Sequence, residues 1–250
     1  WRDFGYKIKK ENIKGSISDL ILPHGREEKL NNLNLSLIGN YQVENASIAV
    51  KTVLQLRKFG FKVSDNVIRK ALKTAFFPGR FEILQCHPEF ISGSPAIRQA
   101  SLRRNKMLKQ VQHDRGTTLI LDGAHNPTKM KAFIHSLKRL YPNYRKIFLI
   151  AFKNDKDIPK MLQEITKVAD KIIITEFNRA TDMNLHASAD AFNIKNQILK
   201  IKYGGKVIVE KDSKKALDKA LTIQQFNNST IIVVTGSLYL VGEVRNSLVL

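Results

Sequence analysis

The sequence predicts an α/β protein whose main part is a Rossmann-like, mostly parallel, doubly wound sheet. From residue 80 onward, short strand-like segments alternate with segments of helical spacing, which is typical of strands joined by crossover helices. The stretch LILDGAHNP at 119–127 predicts a strand, a tight turn and a helix in immediate succession. Each connection but one is long enough for a helical crossover and short enough for a compact sheet.

The first part of the chain predicts a smaller unit built from short strands. Strands are expected at 6–9, 16–22 and 33–38, separated by turns rich in Gly and Asn. The sequence Phe-Pro-Gly at 77–79 is the predicted linker, so the domains are expected at 1–77 and 78–250.

Two helices are predicted in that smaller unit. Ser64 is the expected N-cap of the second helix, and the first helix is expected to end near Gly60. Apolar or amphipathic residues at helical spacing define the predicted core faces, namely Ala49, Val50, Val53, Leu54 and Arg57 in the first helix and Val67, Ile68, Ala71 and Leu72 in the second.

The larger unit follows with alternating elements. Strands are predicted at 81–84, 119–121, 147–152, 172–175, 207–209 and 231–234. Helices are predicted to begin near Pro127, Asp157, Ala187, Ser213 and Leu238.

An insertion at 86–117 separates the first two of these strands. It is far longer than an ordinary loop and carries six Arg/Lys residues against two Asp/Glu residues. It is either a nucleic-acid or partner arm, or a solvated insertion that the fold tolerates because the cost of loop closure grows slowly with length.

The net charge of the chain limits the classes of partner that it is expected to bind. A net charge of +20, from 42 Lys+Arg against 22 Asp+Glu, could attract nucleic acid, an anionic membrane surface or a polyanionic small molecule. The lysines are scattered, with no basic block interleaved with aromatics, and no apolar run reaches the ~18 residues of a membrane span. Phosphate and carboxylate ligands are therefore favoured over nucleic acid or a membrane.

The single cysteine and the start of the chain add two expectations. Cys86 alone excludes an internal disulfide framework, and this favours a cytoplasmic location. The chain opens at Trp1 in a strand-like pattern, so it is expected to begin inside a domain of a longer protein.

The stretch 119–127 is the strongest candidate for a functional site. Asp122 and His125 are expected at the carboxyl end of a buried strand, where open α/β sheets bind their ligands. Asn126 suits the N-cap of the next helix, and Pro127 suits its first turn. The alternative is an ordinary strand–helix junction with a capping Asn and a hydrogen-bonded His.

Several common catalytic motifs are absent from the sequence. It contains no G-x-x-x-x-G-K-[ST] phosphate loop, no G-x-G-x-x-G after a strand, no G-x-S-x-G elbow and no Cys/His cluster with zinc spacing. The chain therefore has no phosphate-cradling P-loop of its own.

Four ordered motifs carry a family resemblance. They are the pattern xGxxQxxNAxxA at 38–49, PGRFE at 78–82, LDGAHNP at 121–127 and TGSLYLVGEVR at 235–245. Together they resemble the carboxy-terminal half of folylpolyglutamate synthase, often also dihydrofolate synthase, in the Mur ligase superfamily. DKD at 155–157 and Arg179-Ala180 are weaker matches, and Tyr41 stands where the family often has His.

The resemblance implies a fold and an activity. It implies a partial Mur ligase central, ATP-binding domain followed by the C-terminal Mur ligase domain. It also implies an ATP-dependent ligase that activates a folate carboxylate as an acyl phosphate and joins it to glutamate. ATP and Mg²⁺ are the implied cofactors, with the metal ligands and P-loop expected upstream, and a separate amino-terminal half is an expected partner.

The resemblance also assigns roles to residues. Asp122 and His125 would be catalytic; the ATP contacts would be Asn45, Arg80 and Asp122; the substrate contacts would be His125, Ser237 and Tyr239. Three alternatives remain: Asn45 as a helix-start cap, Arg80 as a surface charge of the linker, and Tyr239 as a core aromatic.

A rival function belongs to a different class. The chain could be a non-enzymatic remnant, or a basic α/β domain associated with nucleic acid through the insertion at 86–117. In either case the chain alone is expected to be inert, since phosphoryl transfer needs phosphates and metal positioned together.

Overall fold

The computed structural model describes residues 5–21, 30–86, 117–178, 188–224 and 229–249. The chain divides into two compact units, Trp1–Phe81 and Glu82–Leu250, which are called here the amino-terminal and carboxy-terminal units. Most of the predicted insertion and the pair Arg179-Ala180 lie outside the described residues. The predicted boundary after residue 77 lies close to this division.

The amino-terminal unit contains a three-stranded antiparallel sheet. Its strands β1 (Gly5–Asn12), β2 (Gly15–Ile21) and β3 (Leu30–Leu35) pair in that order. The third strand begins and ends earlier than the predicted 33–38. The backbone leaves the sheet at Ser36, whose N–H donates to the carbonyl of Leu72 at 3.1 Å instead of to a strand.

Two helices cover one face of this sheet. They are α1 (Asn40–Leu56), followed by a 3₁₀ turn at Arg57–Phe59, and α2 (Asp65–Thr74). The predicted cap is confirmed, because the Ser64 side chain accepts the N–H of Val67 at 3.4 Å. The core comprises Leu20, Leu30, Leu33, Val50, Leu54 and Ile68.

The predicted core faces of these helices are partly wrong. Ala49, Val67 and Ala71 are exposed. Each helix reaches the small sheet through one narrow row of side chains, so the neighbouring apolar positions remain in solvent.

The carboxy-terminal unit is a six-stranded sheet with the order β4-β5-β9-β6-β7-β8. The strands are β4 (Glu82–Cys86), β5 (Thr117–Asp122), β6 (Arg145–Ile150), β7 (Lys171–Ile174), β8 (Lys206–Val209) and β9 (Thr230–Thr235). The helices are α3 (Pro127–Leu140), α4 (Ile158–Thr166), α5 (Ala191–Leu199), α6 (Ser213–Gln224) and α7 (Leu238–Val249). The predicted mostly parallel α/β sheet is confirmed.

Helices cover both faces of this sheet. Helices α6 and α7 pack on one face through an apolar cluster that includes Leu121, Leu149 and Val234. Helices α3, α4 and α5 contact one another in sequence and cover the opposite face, where Ile120 and Val233 are fully buried. Burial on both faces explains why these strands are continuous apolar runs.

The edge strand β4 departs from the predicted pattern. It pairs antiparallel with β5, and Cys86 lies opposite Thr117. Both residues belong to the predicted insertion, yet both are strand residues, so 87–116 connects two neighbouring strand ends. Phe81, predicted to open this strand, precedes it with a φ of 45° and is buried.

Candidate functional site

Three parallel strands end side by side at the centre of the carboxy-terminal unit. Thr235 on β9 lies in register with Asp122 on β5 and with Ile150 on β6. The helices that follow β5 and β6 lie on one face of the sheet, and the helix that follows β9 lies on the other. The chain therefore diverges around the end of β9, which is where open α/β sheets form a ligand-binding crevice.

The turn after β5 holds Asp122 in a fixed orientation. Its side chain is 2% exposed, and Oδ1 accepts the N–H of Ala124 at 2.8 Å. Asn126 then caps α3 by accepting the N–H of Lys129 at 2.8 Å, and Pro127 occupies the first turn. The predicted strand, turn, N-cap and proline are all confirmed.

His125 is fixed on both sides of its ring. Nδ1 lies 2.7 Å from the carbonyl oxygen of Gly123, and Nε2 lies 3.4 Å from Nζ of Lys129. A carbonyl only accepts hydrogen bonds, so this geometry assigns the ring proton to Nδ1 and leaves Nε2 as the acceptor. The ring therefore presents a lone pair next to a cation.

The turn after β9 needs a glycine. Gly236 has a φ of 101°, and a Cβ at this position would lie 2.5 Å from the carbonyl oxygen of Ala151. Ser237 follows it, 1% exposed, and its Oγ accepts the N–H of Tyr239 at 3.1 Å. The close approach of β6 and the β9 turn thus depends on the missing side chain.

Tyr239 forms an aromatic wall at this edge. Its ring stacks on Phe177, with centroids 5.3 Å apart and an interplanar angle of 24°. Nζ of Lys153 lies 5.9 Å from the Tyr239 ring centroid. Tyr239 is partly buried and packs against the apolar cluster beneath α6 and α7, so the alternative of a core aromatic stays open.

Lys153 is the residue that sequence reasoning missed. It follows the end of β6, its side chain is 16% exposed, and its Nζ lies 4.0 Å from the carboxylate of Asp155. Among 42 lysines and arginines, no local pattern marks it. The available signal was its place just after a buried strand and just before the DKD sequence.

The DKD sequence at 155–157 has two separate roles. Asp155 lies 2.8 Å from Nζ of Lys156 and 4.0 Å from Nζ of Lys153, and the hydrogen bond from Lys156 lowers the pKa of Asp155. Asp157 caps α4 by accepting the N–H of Lys160 at 3.3 Å. The role of Asp157 is therefore that of the N-cap of α4.

The other two predicted site residues lie in the amino-terminal unit. Asn45 lies inside α1, which begins at Asn40 with Gly39 as N-cap, so the alternative of a helix-start cap is wrong. Its Nδ2 donates to Oε1 of Gln42 at 3.3 Å. Arg80 is half-buried, with its guanidinium 5.7 Å from the centroid of Phe77.

Within the described parts of the chain, no group of three or more His, Cys, Asp and Glu side chains is arranged to hold a metal ion. No helix in those segments is long and apolar enough to cross a membrane.

The fold and this edge define an α/β domain with a candidate ligand site at a topological switch point of its sheet. A family model described as the C-terminal domain of dihydrofolate synthetase matches residues 105–248, which is more than half of the chain. The chain belongs to this family.

Several curated proteins are similar to this chain. Dihydrofolate synthetase of Saccharomyces cerevisiae is 26% identical over 211 residues, covering 84% of this chain and 44% of that protein. Dihydrofolate synthase/folylpolyglutamate synthase of Bacillus subtilis is 25% identical, covering 89% of this chain and 43% of that protein. The chain thus spans less than half the length of these relatives.

Solved structures give the same relationship. Folylpolyglutamate synthase of Thermotoga maritima is 29% identical to this chain, with a TM-score of 0.64. The match covers 99% of this chain and 47% of the Thermotoga chain. Mycobacterium tuberculosis folylpolyglutamate synthase complexed with ADP is 19% identical, with a TM-score of 0.71. That match covers 97% of this chain and 47% of the Mycobacterium chain. This second likeness concerns the fold alone.

Proposed function

We propose that this chain forms the carboxy-terminal part of an ATP-dependent ligase that joins glutamate to a folate. One observation carries the proposal: Asp122, His125, Ser237 and Tyr239 all lie on the turns at the ends of β5 and β9. They do so in a chain of the dihydrofolate synthetase family, and its relatives are named for folate glutamylation.

The proposed reaction has two steps. The terminal phosphoryl group of ATP passes to a carboxylate oxygen of the folate, which leaves ADP and an acyl phosphate. The amine of glutamate then attacks the acyl carbon; a C–N bond forms, the C–O bond to phosphate breaks, and the amine loses a proton.

Each residue at the sheet edge has a role that suits its chemistry. Nε2 of His125, which lies 3.4 Å from Nζ of Lys129 as an acceptor, would exchange that contact for a hydrogen bond or the proton from the attacking amine. Asp122 accepts hydrogen bonds from nucleotide hydroxyls and keeps its turn in place. Ser237 and Tyr239 line the substrate side, and Lys153 supplies a positive charge to a carboxylate or phosphate.

Asn45 and Arg80 would contact ATP from the amino-terminal unit. The side-chain amide of Asn45 is exposed at its helix, and the guanidinium of Arg80 matches phosphate oxygens in a planar fork. A divalent cation would supply positive charge for the phosphoryl transfer, and we assign its ligands to the amino-terminal half of the enzyme rather than to this chain.

The sequence has no P-loop, so activity should require an added amino-terminal half. The test compares the purified chain with the chain plus the amino-terminal half of the Thermotoga maritima relative. Phosphate release and product mass are measured with ATP, a folate and glutamate. The expected result is glutamate-dependent phosphate release only when both parts are present.

Two results would contradict the proposal. Steady glutamate-dependent phosphate release by the chain alone, abolished in Asp122→Ala, would show that the amino-terminal half is unnecessary. A complex that forms and binds ATP but makes no glutamylated folate would favour a non-enzymatic role.

A further inference from the structure

Helix α1 has an outward face without a charged side chain. Asn45, Ile48, Ala49, Thr52 and Leu56 follow one another at intervals of three and four residues, so they share one face, and all five are exposed. A helix face that meets water is ordinarily rich in charged side chains. In this chain 26% of residues are charged, so their absence from this face is a distinct feature.

The apolar character continues beyond the end of α1. Gly60 has the left-handed conformation and turns the chain back, so that the N–H of Phe61 donates to the carbonyl of Leu56 at 3.4 Å. Phe59 and Phe61 are 77% and 58% exposed. We call Ile48, Ala49, Leu56, Phe59 and Phe61 together the α1 apolar surface.

The amino-terminal unit does not bury this surface itself. Its small sheet already packs against the opposite side of α1, through Val50 and Leu54. Among the described residues, Phe76 and Phe77 form a second exposed aromatic pair, at the end of the amino-terminal unit, whereas the exposed aromatic residues of the carboxy-terminal unit are far apart in sequence. Phe192, for example, stands with the ammonium of Lys211 at 5.5 Å from its ring centroid. A contiguous exposed apolar surface is typical of a protein interface.

The lengths of the relatives and the charge of the rim identify the occupant. Relatives match this chain over less than half of their own length, in their carboxy-terminal half, so they contain a further half that this sequence does not. Lys58 and Lys62 are exposed beside Phe59 and Phe61. The surface therefore suits an apolar patch with an acidic rim.

We propose that the α1 apolar surface docks the P-loop-bearing, amino-terminal half of a folylpolyglutamate synthase. The inference rests on the proposed function, because that function requires such a half. Docking here places the partner on the helix that carries Asn45, which is the residue proposed to contact ATP.

Binding is tested without catalysis. The full chain is titrated with the amino-terminal half of the Thermotoga maritima relative in a calorimeter, without ATP or folate. In the double variant Ile48→Lys/Leu56→Lys the affinity should fall by about tenfold or more, since charges replace apolar contacts. The matched control Phe192→Lys/Leu199→Lys changes two exposed apolar residues of the carboxy-terminal unit and should bind like the parent.

A labelling experiment gives a second readout. Ala49→Cys in a Cys86→Ser background should react with a maleimide in the chain alone and become protected when the amino-terminal half is added. Leu199→Cys should react equally in both states. Circular dichroism melting confirms that each variant is folded.

Two of the remaining outcomes overturn the inference, and a third separates it from the proposed function. Equal affinity of parent and double variant, or an unprotected Ala49→Cys, would place the partner elsewhere. A chain dimer that Ile48→Lys/Leu56→Lys dissociates would assign the surface to a second copy. Binding at this surface without ligation in the complete mixture would instead sink the proposed function and leave the docking inference standing.

Discussion

The two sheets of this molecule differ in how completely they are covered. In the carboxy-terminal unit, helices cover both faces, and every residue of β9 is buried. In the amino-terminal unit, strand β1 has no fully buried residue, and α1 leaves one apolar face exposed. The difference indicates that the carboxy-terminal unit has a core covered on both faces and a candidate ligand edge, whereas the amino-terminal unit leaves apolar side chains exposed.

The largest effect is expected from truncating a buried side chain in the covered sheet. Phe148→Ala on β6, where the parent side chain is 0% exposed, should lower the free energy of unfolding by about 3–5 kcal/mol. Phe59→Ala, at a 77% exposed position in the amino-terminal unit, should change it by less than ~0.5 kcal/mol. Urea denaturation measures both, and equal losses would contradict the contrast between the units.

The β9 turn gives the next effect. Gly236→Ala should destabilise the chain by about 1–3 kcal/mol, because its φ is positive and the new Cβ meets the carbonyl oxygen of Ala151. Gly242→Ala is the control: a Cβ there meets nothing within 4 Å inside α7, so it should stabilise by about 0.5–1 kcal/mol. Thermal melting measures the stability of both variants. A Gly236→Ala variant as stable as the parent would contradict the predicted clash with the carbonyl oxygen of Ala151.

The long connection between β4 and β5 should be dispensable. Because Cys86 pairs with Thr117, deleting 87–116 and inserting Asn-Gly creates a hairpin with a favoured two-residue turn. The unfolding free energy should be unchanged or higher by about 1–2 kcal/mol, since the loop to be closed is shorter. Loss of cooperative melting would mean that the deleted segment contributes to the core.

The smallest effect appears only at high pH. Burial, with the neighbouring Tyr144 as a lesser cause, raises the pKa of Tyr141 to about 12 from an ordinary value of 10.0. The protonated phenol is therefore favoured in the folded state, so its contribution is complete below pH 10 and is lost as the pH rises towards 12. Tyr141→Phe should lose less stability than the parent over this pH range, and parallel curves would contradict the assignment.

Local signals in the sequence predicted the central part of the fold well. The Asn126 cap and Pro127 are recognisable because capping depends on neighbouring backbone groups only. Strand positions in the carboxy-terminal unit are recognisable because burial on both faces leaves uninterrupted apolar runs.

Three features that the sequence did not predict depend on residues that are far apart in sequence. The antiparallel direction of β4 is set by its pairing with β5, and apolar composition carries no strand direction. The exposure of Ala49 depends on how little of α1 the small sheet reaches. The position of Lys153 beside Tyr239 arises because β6 and β9 are adjacent in space and far apart in sequence.

If the carboxyl edge of β5 and β9 is a catalytic ligand site, a substitution at Asp122 tests it most directly. In the chain joined with its amino-terminal half, Asp122→Asn should melt within a few degrees of the parent, because the Asn side-chain oxygen still accepts the N–H of Ala124. It should lose most of its ligase activity, whereas Asp157→Asn, which keeps a good N-cap, should retain it. An Asp122→Asn protein that stays fully active, or that unfolds well before the parent, would contradict the account.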